Sequence, residues 1–166
     1  MAVIKICVLP DTVLRQKAKR VTVVDSSILR LVDDMVETMR AASGVGLAAP
    51  QVGVSLRIAV IEMPEQDVIT LINPVIVKRE GERVVNEACL SVPGYQGEIK
   101  RSVRIKVKAQ NKQGREFRIV GEELLAQALE HEIDHLNGTL YIDHIESPDK
   151  LETVVPTSSE PDIMVG

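Results

Sequence analysis

His131-Glu132-Ile133-Asp134-His135 places two imidazoles four residues apart with a carboxylate just after the first. On a helix that spacing puts both rings on one face, one turn apart, so that both can reach a single metal ion. Glu132 can then hydrogen-bond a water at the ion without being a ligand, which is the logic of the H-E-x-x-H pattern. A helix with two surface histidines would show the same letters, but composition argues against it. The chain has three His in all, and two are here. Leu124, Leu125, Leu129, Ile133 and Leu136 around them make a mostly buried helix, expected over residues 122–137. Buried histidines and a buried Glu need partners.

A third ligand is available in Glu87-Ala88-Cys89-Leu90-Ser91-Val92-Pro93. Alone, Cys89 reads as a buried structural thiol. With two imidazoles it makes a three-ligand site with one open position, the arrangement of catalytic rather than structural metal centres. The segment follows a strand-like run and precedes a turn expected at Pro93-Gly94.

The elements that must position these groups are legible from periodicity. Residues 3–9 read as a short strand, with Cys7 expected to be buried and inert in it. Asp25, Ser26 and Ser27 offer an N-cap to a helix whose apolar residues Ile28, Leu31, Val32, Met35, Val36 and Met39 recur with the helical period until Ser43-Gly44. Residues 44–53 form a small-residue loop, and no Lys or Ser/Thr follows its glycines at phosphate-cradle spacing. Strands are expected over residues 57–62, 69–77, 103–109 and 116–120, with a stop at Gly138 and a short returning strand over 139–142. Strands without intervening helices imply antiparallel pairing. The fold class is α+β, with mostly antiparallel sheets packed around the helix that carries the histidines. Residues 1–146 are expected to form one catalytic domain and residues 147–166 a short flexible tail.

At 166 residues the chain suits one domain. A net charge of -4 and 2% aromatic residues argue against nucleic-acid binding. No apolar run reaches the roughly 18 residues of a membrane span, and the N-terminus lacks a signal-peptide layout, so a cytoplasmic protein is expected. Two cysteines in a reducing compartment are not expected to pair.

Three segments together, residues 44–51 (Gly-Val-Gly-Leu-Ala-Ala-Pro-Gln), Glu87-Ala88-Cys89-Leu90-Ser91 and His131-Glu132-Ile133-Asp134-His135, resemble the three ordered motifs of peptide deformylases. The opening Leu9-Pro10-Asp11 with Leu14-Arg15 is also similar to that family. The resemblance implies hydrolysis of the N-formyl group from the formyl-methionine of newly made polypeptides, releasing formate. It implies Cys89, His131 and His135 as metal ligands, with Fe²⁺ as the native ion and Zn²⁺, Ni²⁺ or Co²⁺ as substitutes. Glu132 would carry the proton, and the Gln51 amide and Leu90 backbone N–H would be the oxyanion donors. The backbone at Val45 and Gly46 would bind the peptide as an added strand. Leu124 and Ala128 would wall the methionine pocket, with core packing as their ordinary alternative.

Ala88, beside the substrate strand, stands where most members carry Gly, and Gln96 stands where a basic residue is common. Transient proximity to the ribosome is implied, although no docking helix is legible after residue 147. Asp134 is expected to orient a neighbour, Glu87 to pair with Arg101, and His144 to lie on the surface. Two other readings remain at this stage: a weak or inactive deformylase-like binding protein, favoured by Ala88, and an H-E-x-x-H endopeptidase.

Overall fold

A computed structural model describes residues 2–154. Among them are two α-helices, α1 (Ser26–Ala41) and α2 (Leu124–Leu136), and eight strands. The strands are β1 (Gly46–Ala48), β2 (Ile58–Ile61), β3 (Ile69–Glu80), β4 (Arg83–Cys89), β5 (Val92–Arg101), β6 (Arg104–Gln110), β7 (Glu116–Glu122) and β8 (Leu151–Thr153). They form a five-stranded sheet in the order β1-β2-β3-β6-β7 and a three-stranded sheet in the order β4-β5-β8. Every pairing is antiparallel, as expected of strands joined without crossover helices.

The large sheet is covered on both sides. Successive residues of β2 point to opposite faces, and all four are buried. Ala59 and Ile61 pack with Leu129, Ile133 and Leu136 of α2, while Ile58 and Val60 pack with Val32, Met35 and Met39 of α1. Losing one such leucine, Leu129 for instance, would cost on the order of 2–5 kcal/mol. A third cluster, with Val85, Val92, Ile99, Leu140 and Tyr141, lies under the small sheet and includes Cys89. The histidine helix is therefore clamped between the sheets.

Each helix has its own end chemistry. Asp25 caps α1, its side chain accepting from the N–H groups of Ser27 and Ile28. At the C-terminus of α2, Arg57 donates to the Leu136 carbonyl at 2.9 Å and to Asn137 Oδ1 at 2.9 Å. Gly138 follows with φ +76°, and a Cβ there would lie 2.7 Å from the Arg15 carbonyl oxygen, so only glycine closes this end. The N-terminus of α2 has no side-chain cap, and Glu123 holds φ +53° and ψ −118° before it.

Several expectations are corrected. Residues 3–9 form no strand; their N–H groups go to scattered partners, Ile4 to Thr38 Oγ1, Cys7 to the Gln51 carbonyl and Leu9 to the Ser91 carbonyl. The segment is a strap from α1 to the β4–β5 turn, and Cys7 on it is half-buried rather than buried. The loop at 44–53 contains β1 and a 3-10 turn, Ala49–Val52. The turn near Cys89 is at Leu90 and Ser91, and Pro93 and Gly94 lie within β5. The returning strand is instead a 3-10 turn, Tyr141–His144. In the stretch read as tail, β8 pairs with Tyr95, Gln96 and Gly97 along the edge of β5 opposite β4. Residues 155–166 lie outside the described residues.

A non-glycine residue at the Glu123 backbone conformation costs roughly 1–3 kcal/mol, while its ion pair with Arg83, at 3.4 Å on a mostly exposed side chain, offsets little. Glu123→Gly is expected to stabilise the chain by about 1 kcal/mol after the added chain entropy of glycine, read as a higher urea midpoint at unchanged slope.

Candidate metal centre

Three elements bring the chemistry together. Cys89 ends β4 at its turn into β5, and one turn of α2 separates His131 from His135. Both histidines and Cys89 are buried, and their ligand atoms lie within 4.8 Å of one another. His131 Nε2 is 3.2 Å from His135 Nε2, and Cys89 Sγ is 3.3 Å from His135 Nε2. A tetrahedral ion at ordinary bond lengths needs nitrogen–nitrogen and sulfur–nitrogen separations of about 3.3 and 3.6 Å. The donor set thus fits one divalent ion with a position left open.

The Cys89 thiol needs such an ion to be useful. Burial pushes it well above its ordinary range, with the Glu132 and Glu87 carboxylates adding to the effect, while the Ser91 N–H, 3.4 Å from Sγ, opposes it. A cation at the site reverses the balance and favours the thiolate.

Behind His131 stands a buried carboxylate with all its needs met. Glu87 Oε1 accepts from His131 Nδ1, which turns Nε2 toward Cys89. Arg101 grips Glu87 in a fork, Nε at 3.0 Å and Nη2 at 2.6 Å, and Gln127 Nε2 adds a bond at 3.2 Å. Burial alone would raise Glu87, but His131 and Arg101 outweigh it and hold the carboxyl down at about 2. The expected Glu87–Arg101 pair is present, and Asp134 orients Arg101 through Nη1 at 2.7 Å. His144 is on the surface as expected, yet it bonds Asp134 Oδ2 at 2.8 Å; that bond raises it above the ordinary histidine range.

Glu132 is the exception. It is fully buried, and neither carboxylate oxygen has a hydrogen-bond partner among the described residues. Burial, reinforced by Glu87, pushes it well above the usual carboxylate range. A buried carboxyl without a partner beside a metal-binding cluster is the environment of a proton carrier. Its space is made by Gly46 of β1, where a Cβ would collide with the Glu132 carboxylate and come to 3.0 Å from its Cδ.

The other candidates are placed as follows. Gln51 is buried, with Oε1 accepting from the Ala48 N–H at 3.0 Å and Nε2 directed at Ser91 Oγ (3.1 Å) and Cys89 Sγ (3.8 Å). Leu90 and Ala88 are half-buried beside Cys89. Val45 and Gly46 lead into β1, which is the edge of its sheet, and β4 is the edge of the other. Ala128 is wholly inside the main core and Leu124 packs against it half-buried. Gln96 is 3.4 Å from Glu152. Sequence reasoning missed Gln127 and Ser91. Gln127 had a signal, lying four residues before His131 on the same helix face; the role of Ser91 depends on a turn that was misplaced.

A sequence model of the polypeptide deformylase family matches residues 3–151. The chain is 52% identical to a peptide deformylase of Dehalococcoides mccartyi (strain CBDB1) over 163 residues, covering 98% of each. It is 50% identical to that of Heliobacterium modesticaldum over 147 residues, 89% of this chain and 97% of the relative. Among solved structures, a Legionella pneumophila peptide deformylase superposes with a TM-score of 0.87 at 48% identity, covering 90% of this chain and 89% of that one. A Synechococcus elongatus peptide deformylase in complex with actinonin gives 0.86 at 39% identity, covering 89% and 81%.

Removing the cation from a buried pair leaves an uncompensated charge, so Arg101→Met should cost about 3–5 kcal/mol in denaturant unfolding of the metal-free chain. Because the folded Glu87 carboxyl lies at about 2, below its unfolded value of about 4.3, its contribution is full above the unfolded value. It is lost as pH falls through the folded one. Unfolding measured down a pH series should show that acid-side loss in the wild type and a shallower one in Glu87→Gln.

Proposed function

As the chain belongs to the peptide deformylase family, and is a deformylase by function, we propose that Cys89, His131 and His135 hold its metal and that Glu132 moves the proton. The observation carrying this reading is the buried thiol–imidazole–imidazole cluster beside a carboxyl group with no other partner. The substrate is the N-formylmethionyl end of a newly made polypeptide. Thiolate and imidazole donors accept Fe²⁺, Zn²⁺, Ni²⁺ or Co²⁺, and Fe²⁺ is proposed as the resident ion.

An ion in this site supplies the acidity that makes water a nucleophile at neutral pH and polarises the formyl oxygen. Glu132, ionised once a cation beside it counters the burial that favours its neutral form, accepts the proton of the attacking water at a carboxylate oxygen. As the carbon–nitrogen bond breaks, it passes that proton to the departing amine, leaving formate and a free N-terminus. Gln51 Nε2, already beside Cys89, and the Leu90 N–H stabilise the negative oxygen between these steps, each such donor typically contributing about 2.7–4 kcal/mol. The sheet edge at Val45 and Gly46 binds the peptide backbone as an added strand, and Ala88, next to Cys89 on the edge strand β4, is assigned to the same cleft. Leu124 contributes its exposed part, and Ala128 its position on the helix, to the wall around the methionine side chain. Gly46 is needed twice, for strand pairing and for Glu132.

No helix among the described residues is long and apolar enough to cross a membrane. We place the protein in the cytoplasm, working on newly made chains near the ribosome. Family membership disfavours both the inactive binding protein and the endopeptidase.

Protein reloaded anaerobically with Fe²⁺ or Ni²⁺ is expected to release formate from a formyl-Met peptide; silence with metal bound would overturn the activity. Glu132→Gln should keep its metal while kcat falls at least about 100-fold. Cys89→Ala should lose the metal, as read by elemental analysis.

A further inference from the structure

Hydrogen-bonded charge continues from the metal centre to the surface. His131 Nδ1 meets Glu87, Glu87 is gripped by Arg101, Arg101 Nη1 reaches Asp134 Oδ2 at 2.7 Å, and His144 Nε2 reaches the same oxygen at 2.8 Å. Four elements contribute: α2, β4, β5 and the 3-10 turn Tyr141–His144. The inner members are over-determined. Glu87 takes bonds from three residues, and Arg101 is 4% exposed between two carboxylates.

Asp134 is the weak joint. Its side chain is 18% exposed, enough to turn toward water, and besides Arg101 the side chain that fixes Oδ2 is His144. Arg101 is shared between Asp134 and Glu87, so a loosened Asp134 loosens the fork on Glu87, and Glu87 sets the ring of His131. The turn that presents His144 is itself anchored. Asp143 Oδ2 accepts from the Leu140 N–H at 2.9 Å and from Arg15 at 2.6 Å, and Tyr141 is buried in the third cluster. His144 is thus delivered to Asp134 by a structured segment rather than by a chance surface contact.

We propose that His144 is a positioning residue for the metal centre, acting through Asp134 and Arg101 to hold Glu87 against Nδ1 of His131. It touches neither substrate nor metal. Its ring nitrogen shares Asp134 Oδ2 with Arg101, so the two side chains fix that oxygen together. This inference rests on the reading that Cys89, His131 and His135 bind the ion.

The test uses the full chain loaded with Co²⁺, whose visible absorption reports thiolate and imidazole geometry and whose release to a chelator can be timed. His144→Ala is expected to release Co²⁺ about three- to tenfold faster, a smaller effect than the 10–100-fold typical of partners bonded directly to a ligand. Its absorption bands should shift, and His144→Gln, which keeps a donor for Asp134, should restore both. In an Asp134→Asn background the His144→Ala effect should vanish. Equal release and spectra in wild type and His144→Ala would overturn the proposal, whatever the melting temperature of the metal-free chain. So would an undiminished effect in the Asp134→Asn background. A Cys89→Ala chain that keeps the wild-type spectrum would instead overturn the metal-site reading.

Discussion

The buried Glu87–Arg101 pair joins the structure to its chemistry. A carboxylate with no solvent exposure of its side chain, gripped by a guanidinium that is 3% exposed, links β4 to β5 and, through His131, Gln127 and Asp134, both strands to α2. Such a pair is not a large source of stability, since desolvating both charges offsets much of their attraction. What it supplies is orientation. With Oε1 occupied by His131 Nδ1, the imidazole is held in one direction, with Nε2 turned toward His135. Breaking the pair therefore damages the site more than the loss of one contact would imply.

The same interior keeps one carboxylate satisfied and another unsatisfied. Glu87 has donors on both oxygens and is held ionised, whereas Glu132, on the same helix as His131, has none among the described residues and is pushed toward its neutral form. Their difference in environment is what separates them: one is locked against His131 and the other has no partner among the described residues. Gly46 completes the arrangement. Its missing side chain gives Glu132 room at the edge strand of the larger sheet.

The extended segment from Ala2 to Leu9 shows how the two sheets are kept in step. It joins neither sheet, but its N–H groups meet Asp34 and Thr38 on α1, the Gln51 carbonyl, and the Ser91 carbonyl beyond Cys89. Both ends of the Gln51–Ser91 contact are therefore tied to one piece of backbone. A nearly continuous apolar run ended by Pro10-Asp11 made this segment look like a strand; apolar character reports which side chains seek burial, not whether a neighbouring strand is there to accept the N–H groups.

Sequence by itself determined the histidine helix, its stop at Gly138, the first helix with its Asp25 cap, and most of the large sheet. These are local matters of period, capping and glycine, and the apolar pattern of residues 122–137 leaves little else for α2 to be. It also picked out Cys89, His131 and His135, chemically distinctive and scarce in this chain, which the fold brings together. Tertiary structure alone decided where Cys89 turns, the strand β8 expected as tail, and the fates of the charged residues. His144 and Gln127 read locally as a surface residue and an ordinary helix residue. Hydrogen bonds to Asp134, ten residues away, and to Glu87, forty residues away, tie them to the residues packed around Cys89, His131 and His135. No local pattern encodes such partners, since a buried charge is neutralised by whatever the fold brings beside it. The H-E-x-x-H stretch thus specified its own geometry, and the fold determined which carboxylate would be held fast and which would be left without a partner among the described residues.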